Sequence, residues 1–147
     1  MIEYKNATFD DIPKLIEIER SVVGNKTYSP MLEEDEWGLA LAEGTVLLVL
    51  KGGEVVGNAS FEEQDDDGSY YISGLVIMPQ FQGRGLGRIV LAKVLADMPD
   101  ARRITLVTHP DNVAARKLYT EAGFVVGDLK KNYYGDGEPR VMLVLTK

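Results

Sequence analysis

The segment Gln82-Gly83-Arg84-Gly85-Leu86-Gly87-Arg88 sets three alternating glycines between a β-like run and an apolar helical stretch. Glycine permits backbone conformations closed to other residues, so successive N–H groups can turn toward one point with no side chain in the way. The helix that follows adds unpaired N-terminal donors and the positive end of its dipole. That dipole contributes roughly 0.3–1 kcal/mol toward an exposed anion and about 2 kcal/mol in a partly buried site. Such a segment is a cradle for phosphate. A dinucleotide loop reads G-x-G-x-x-G with a later acidic residue for ribose, and a nucleoside triphosphate loop ends in Lys-Ser/Thr. Here the glycines alternate and Arg88-Ile89 follows, so both are disfavoured. A glycine-rich turn that binds nothing remains the other reading of these residues.

Charge patterning favours the anion. The chain of 147 residues carries a net charge of −7, unevenly spread. Residues 1–67 hold 16 acidic and 5 basic side chains, whereas residues 68–147 hold 7 and 11. From Gly68 to Ala96 there is no Asp or Glu, while Arg84, Arg88 and Lys93 are present. An acidic chain that clears carboxylates from one stretch leaves room there for a negative ligand. The overall charge and the lack of basic–aromatic interleaving speak against nucleic acid. No cysteine is present, which excludes disulfides, thiolate zinc sites and a cysteine nucleophile, and the single histidine, His109, argues against a histidine-rich metal site. No apolar run approaches a membrane span and the N-terminus lacks the form of a signal peptide, so the expectation is a soluble cytoplasmic domain.

Positioning the loop requires an α/β frame. Ile2 to Asn6 reads as a strand, followed by a helix capped at Thr8 or Asp10 with Ile12, Leu15, Ile16 and Glu19 at helical spacing. A second helix is expected around Met31 to Ala42. Val46 to Lys51 and Glu54 to Glu63 form a hairpin through Gly52-Gly53. Gln64 to Gly68 reads as a turn before a strand from Tyr70 to Ile77. After the loop come a helix from Leu86 to Met98 and a strand from Ile104 to Thr108, a strand–loop–helix–strand unit. His109-Pro110-Asp111-Asn112 caps a helix to Ala122, which Gly123 ends. Phe124 to Lys131 and Arg140 to Leu145 close the chain as strands. The expectation is one α/β domain over residues 1–147 with a mixed sheet.

With these blocks in place, the sequence resembles the GNAT superfamily of N-acetyltransferases. Gln82, Gly85 and Gly87 match its pyrophosphate pattern, and Leu75-Val76-Ile77-Met78-Pro79 resembles the strand before it. Asp111-Asn112, Ala115, Leu118-Tyr119 and Gly123-Phe124 resemble the second signature. The likeness is greatest to ribosomal-protein alanine and other protein N-terminal acetyltransferases, and Asn132-Tyr133-Tyr134 with Asp136-Gly137-Glu138 adds to it. The resemblance implies a mostly antiparallel sheet with a splayed central parallel pair, and acetyl-CoA as cosubstrate. It implies that Leu75, Val76 and Ile77, with Gly83, Arg84, Gly85, Leu86, Gly87 and Arg88, bind CoA through their backbones. Gln82 belongs to the same loop, Asn112 contacts the CoA arm, and Tyr119 is the general acid. The family also leaves room for a homodimer.

The chemistry of amide formation fits these roles. Charge develops on the thioester oxygen, which a backbone N–H near Val76 can bind. A phenol of pKa about 10 can protonate or hydrogen-bond a departing thiolate of pKa about 8.5. Tyr119 also has a packing role on offer, because Ala115, Leu118 and Ala122 mark that side of its helix as buried. The pattern departs at the general base. The alanine acetyltransferases carry a glutamate five residues before the asparagine, where this chain has Val107. His109, two residues on, would share the side of a regular strand and is a candidate base, unless Pro110 turns it into solvent. Glu33 to Glu36, and Tyr133 or Tyr134 on the late strands, are further candidates.

A lysine-like amine is neutral only about once in 2,500 molecules at pH 7, roughly 4.6 kcal/mol, against about 1 kcal/mol for a peptide α-amine. A site without a strong base therefore suits a peptide N-terminus or small amino compound. The acidic run Glu33-Glu34-Asp35-Glu36 points instead to a polyamine, an aminoglycoside or a basic peptide, or is a solvated helix face with Trp37 as its anchor. A CoA-binding sensor or partner module without turnover is the alternative to an enzyme, kept open by Val107.

Overall fold

The computed structural model describes residues 1–65 and 67–147; Asp66, within the expected turn from Gln64 to Gly68, lies outside the described residues. Seven strands make one sheet in the order β1-β2-β3-β4-β5-β7-β6. They are β1 (Ile2–Asn6), β2 (Thr45–Lys51), β3 (Glu54–Asp65), β4 (Ser69–Ile77), β5 (Arg103–Thr108), β6 (Val125–Lys130) and β7 (Arg140–Thr146). Only β4 and β5 run parallel. Four helices flank the sheet: α1 (Ile12–Arg20), α2 (Glu34–Glu43), α3 (Leu86–Ala96) and α4 (Val113–Glu121). No helix among the described residues is long and apolar enough to cross a membrane.

Alternation along β2 divides the core. Val46 and Leu48 face α1 and α2, where Ile12, Leu15, Ile18, Val22 and Trp37 are buried with them. Leu47 and Val49 face the other layer, with Val90, Leu91, Val94 and Met98, and with Tyr119 of α4. Gly52 and Gly53 both have positive φ, the requirement of a two-residue type I′ hairpin, so this turn forms as expected.

The element order follows the sequence reading, with shifted boundaries. β3 continues to Asp65, so Gln64 and Asp65 are strand rather than turn. α2 starts at Glu34 instead of Met31, because the Met31 amide is held outside the helix by the Glu19 carboxylate at 3.0 Å. α1 is preceded by a short 3₁₀ turn, Phe9–Asp11, locked where the Thr8 amide donates to Asp11 at 2.9 Å. α3 ends at Ala96, two residues before Met98, which is completely buried.

One departure from a regular sheet positions everything else. β4 and β5 pair only at Ser69–Arg103, Tyr70–Ile104 and Tyr71–Thr105. Beyond that point β4 stays with β3 and β5 with β7, so the sheet opens down its middle. The opening begins at a bulge. Ser60 faces Gly74 while Phe61 faces Ile72, leaving Ser73 as the extra residue. Such an insertion bends its strand and deepens the local twist.

Candidate active site

The split between β4 and β5 is the floor of a cavity of about 580 Å³. Leu75, Val76 and Ile77 line it, as do the glycine loop, the start of α4, and Leu106, Val107 and Thr108 of β5. Residues of an antiparallel ladder alternately point their backbone groups toward and away from the partner strand. The Met78 amide donates to Val56 on β3 at 2.9 Å, and the register places Val76 opposite Asn58 with the same orientation. Val76 therefore uses its backbone groups within the sheet. Leu75 and Ile77 point theirs into the split, and the Ile77 carbonyl there accepts from Gln82 Nε2 at 2.7 Å. Val76, expected to offer its backbone to CoA, is committed to β3 instead, and the backbone groups left facing the split are those of Leu75 and Ile77.

The loop has the form its sequence suggested. Gly83 and Gly85 sit at φ +77° and +78°, left-handed conformations with nothing within 4 Å of an added Cβ. Backbone conformation, not lack of space, requires glycine there. Gly87 differs: it lies inside the first turn of α3, and a Cβ would stand 3.4 Å from Leu118 of α4. The amides of residues 83 to 88 have no backbone or side-chain acceptor among the described residues. This is a run of unpaired donors at the positive end of an 11-residue helix, which suits a pyrophosphate. The arginines play separate parts. Arg88 pairs with Glu121 of α4 at 2.8 Å, whereas Arg84 lies exposed over the Phe81 ring at 5.8 Å.

α4 starts where its sequence said it would. Asn112 caps it: its Oδ1 accepts from the Ala115 amide at 3.1 Å, its own backbone amide donates to the His109 carbonyl at 3.0 Å, and its side-chain Nδ2 has no partner among the described residues. Two turns on, Tyr119 is buried to 7% exposure and packs edge-on to Phe124 with ring centres 5.7 Å apart. It lines the cavity while belonging to the core, so packing and access to the cleft coexist. Burial, helped by Tyr28, raises its hydroxyl pKa above the usual phenol value and keeps it protonated at neutral pH.

The candidate bases separate. Val107 lines the cavity. His109 does not line it and is not solvated: it is 1% exposed, its Nδ1 accepts from the Asp111 amide at 3.0 Å, and its Nε2 meets Glu138 at 2.7 Å. β5 ends at Thr108, so the alternation that would have returned His109 to the side of Val107 is already broken. Glu33, Glu34, Asp35 and Glu36 are exposed at the start of α2 and line no part of the cavity, where they complement the helix dipole. Trp37 is buried and donates from Nε1 to the Met31 carbonyl at 2.9 Å, the anchoring role. Tyr133 and Tyr134 fall in the β6–β7 connection rather than on strands, and Tyr134 lines the cavity beside Arg140. Arg140 is 2% exposed, stacked 5.1 Å from the Tyr134 ring and paired with Asp136 at 3.2 Å.

Tyr28 and Glu19 are among the cavity residues not singled out from sequence. Tyr28, in the α1–α2 connection, reaches Gln82 of the glycine loop at 3.3 Å. Glu19 is 7% exposed on α1 and forms part of the same wall. Its signal was present: Ile12, Leu15, Glu19 and Val22 are on one helical face, which puts a carboxylate at an apolar position.

A split parallel pair, a run of free amides and a buried phenol thus line one cavity. The chain belongs to the acetyltransferase (GNAT) family, whose model matches residues 11–124. It is an acetyl-CoA-dependent N-acetyltransferase, so the alternative of a CoA-binding module without turnover falls away. A Bacillus subtilis protein provisionally named a ribosomal protein bS18-alanine N-acetyltransferase is 29% identical over 148 residues, covering 97% of this chain and 93% of its own. The fold is that of the crystal structure of the ribosomal-protein-S18-alanine N-acetyltransferase from Escherichia coli, with a TM-score of 0.84 at 21% identity, covering 99% of this chain and 94% of that one. A family member from Elizabethkingia anophelis, solved with acetyl-CoA bound, superposes with a TM-score of 0.75 at 16% identity over 99% and 98% of the two chains.

Proposed function

We propose that the acceptor is an α-amine, at a peptide or protein N-terminus or on a small amino compound, acetylated by direct attack while both substrates are bound. The observation that carries this reading is Val107, an apolar side chain lining the cleft where the resemblance calls for a glutamate. With no glutamate at that strand position, an acceptor that reaches its neutral form at modest cost is favoured. That cost is about 1 kcal/mol for an α-amine at pH 7 and roughly 4.6 kcal/mol for a lysine-like one. A relative from Mycobacterium tuberculosis, 29% identical over 127 residues, is named an N-alpha-acetyltransferase, which supports this reading.

In this reading the amides of residues 83 to 88 hold the pyrophosphate, and Asn112 the arm. The Leu75 or Ile77 N–H receives the charge that develops on the thioester oxygen, a preorganised contact made at the moment of reaction. Tyr119 offers its proton to the departing sulfur. The transfer is less uphill than solution values imply, because the apolar cleft that raises the phenol also disfavours a bare thiolate. The second reading, a polyamine or aminoglycoside drawn by acidic charge, loses support because Glu33 to Glu36 line no part of the cavity.

Thiol release from acetyl-CoA is measured against short peptides with varied N-termini, free amino acids, polyamines and aminoglycosides between pH 6 and 9. We expect the largest kcat/KM with an α-amine. A polyamine or aminoglycoside turned over tenfold better than every α-amine would overturn the acceptor assignment.

A further inference from the structure

The acceptor end of the cavity holds one carboxylate whose placement is costly. Glu19 lies on the face of α1 that also buries Leu15 and Ile18. Its Oε1 accepts from the Met31 amide at 3.0 Å, and its Oε2 accepts from Asn58 Nδ2 at the longer distance of 3.5 Å. No lysine, arginine or histidine among the described residues forms an ion pair with it. Two neutral donors do not fill a carboxylate, and a buried charge without a counter-charge is expensive to hold. Desolvation is the largest influence on Glu19 and raises its pKa, with both hydrogen bonds working against that rise. Glu19 lines the cavity, as Tyr28 does.

We infer that Glu19 receives the ammonium group of the acceptor and takes its proton, doing the work that Val107 cannot. This rests on the acyl-transfer reading of the site. The incoming amine supplies the missing counter-charge and, once paired, sits between Glu19 and the split strands. One proton passes from the ammonium to the Glu19 carboxylate and on to solvent through the cavity. The freed nitrogen lone pair forms the C–N bond to the thioester carbonyl carbon, and the C–S bond breaks. The sulfur takes a proton from Tyr119, and the second proton on nitrogen restores the phenol. The products are amide, thiol and one released proton, which balances the ammonium and thioester that entered.

Asn58 is the positioning residue for this carboxylate. It is 1% exposed on β3, and its Oδ1 stands 3.9 Å from where a Cβ on Gly74 would lie. Trp37 steadies the other donor, since it holds the Met31 carbonyl while the Met31 amide holds Glu19.

The test compares Glu19→Gln with the parent protein in three readouts. Turnover uses whichever amine of the panel the parent acetylates fastest. Binding of alaninamide to the CoA-loaded protein by calorimetry, where no acetyl group is present to transfer, reads the ammonium contact alone. Thermal stability across pH 5 to 8.5 reads the buried charge. The raised pKa makes Glu19 bind its proton more tightly folded than unfolded, so its contribution is fully present below the unfolded value and is lost as pH rises through the folded one. Besides Arg88, Lys117, Glu121 and Arg140, the titratable groups that line the cavity are Tyr28, Tyr119 and Tyr134, whose hydroxyls burial pushes above the ordinary phenol value, so they stay protonated over this range.

We expect E19Q to lose about 10²-fold or more in kcat/KM, to bind alaninamide at least about tenfold more weakly, and to keep its affinity for CoA. Its melting temperature should match or exceed the parent's at pH 8, with a flatter decline from pH 5. Parent-like turnover and alaninamide binding in E19Q would overturn the assignment while leaving the acyl-transfer reading intact. So would CoA affinity falling in step with turnover, the mark of a structural role. A parent that turns over no amine at all and binds no alaninamide would overturn both.

Discussion

The two ends of the cleft handle their ligands by different means. The proposed CoA end is made of backbone: free amides in the loop from Gly83, two strand residues turned into a split, and a helix start capped by Asn112. The proposed acceptor end is made of side chains from distant segments, Glu19 and Tyr28 near one terminus and Tyr134 and Arg140 near the other. A backbone site is indifferent to most side chains but depends on a few glycines and on register. A side-chain site can be retuned one residue at a time. The first suits a substrate common to every reaction, and the second suits an acceptor that differs between relatives.

This contrast breaks most sharply at Tyr119, which serves the reaction and not the binding. Tyr119→Phe should lose about 10²-fold in kcat, with the dissociation constant for CoA unchanged by calorimetry. Loss of both together would make the ring's packing against Phe124 the whole of its role. Next comes the backbone end. Gly85→Ala places a Cβ in open space but in a left-handed conformation, a strain of roughly 1–2 kcal/mol. CoA affinity should fall about 5- to 30-fold while the acceptor KM stays put. Trp37→Phe probes the other end, because it leaves the Met31 carbonyl without its indole donor. Stability should drop by about 1–3 kcal/mol in denaturant titration, and the acceptor KM should rise severalfold with CoA affinity retained. The smallest effect belongs to Lys26→Ala. Its pair with Asp111 at 2.9 Å joins the α1–α2 connection to the turn before α4, but both partners are exposed. Less than about a twofold change in either KM is expected.

The same contrast explains what could be read in advance. Gly83, Gly85, Asn112 and Gly123 act locally, through a positive φ or a cap, and the order of strands and helices around them followed from their spacing. The bulge at Ser73 leaves no such trace, so the split appeared in the sequence only through the family likeness. His109 was misplaced for a related reason. Its burial depends on Glu138, 29 residues away on the β6–β7 connection, and no local pattern links the two. Glu19 was the missed opportunity. A single acidic residue among Ile12, Leu15 and Val22 is a departure from helical patterning, and it carries meaning only once Asn58 and the cavity are seen beside it.

The short ladder between β4 and β5 has a mechanical consequence. Among the described residues three residue pairs zip one half of the sheet to the other, and past Tyr71 β4 and β5 no longer pair. A ligand that lies in this seam and bonds to Leu75 and Ile77 acts as a stave driven between two boards. It joins the halves where the protein itself does not, so substrate concentration governs the rigidity of the whole sheet. Slowed hydrogen exchange at Leu106 and Val107, across the seam from the bonded strand, would be the sign of that closure.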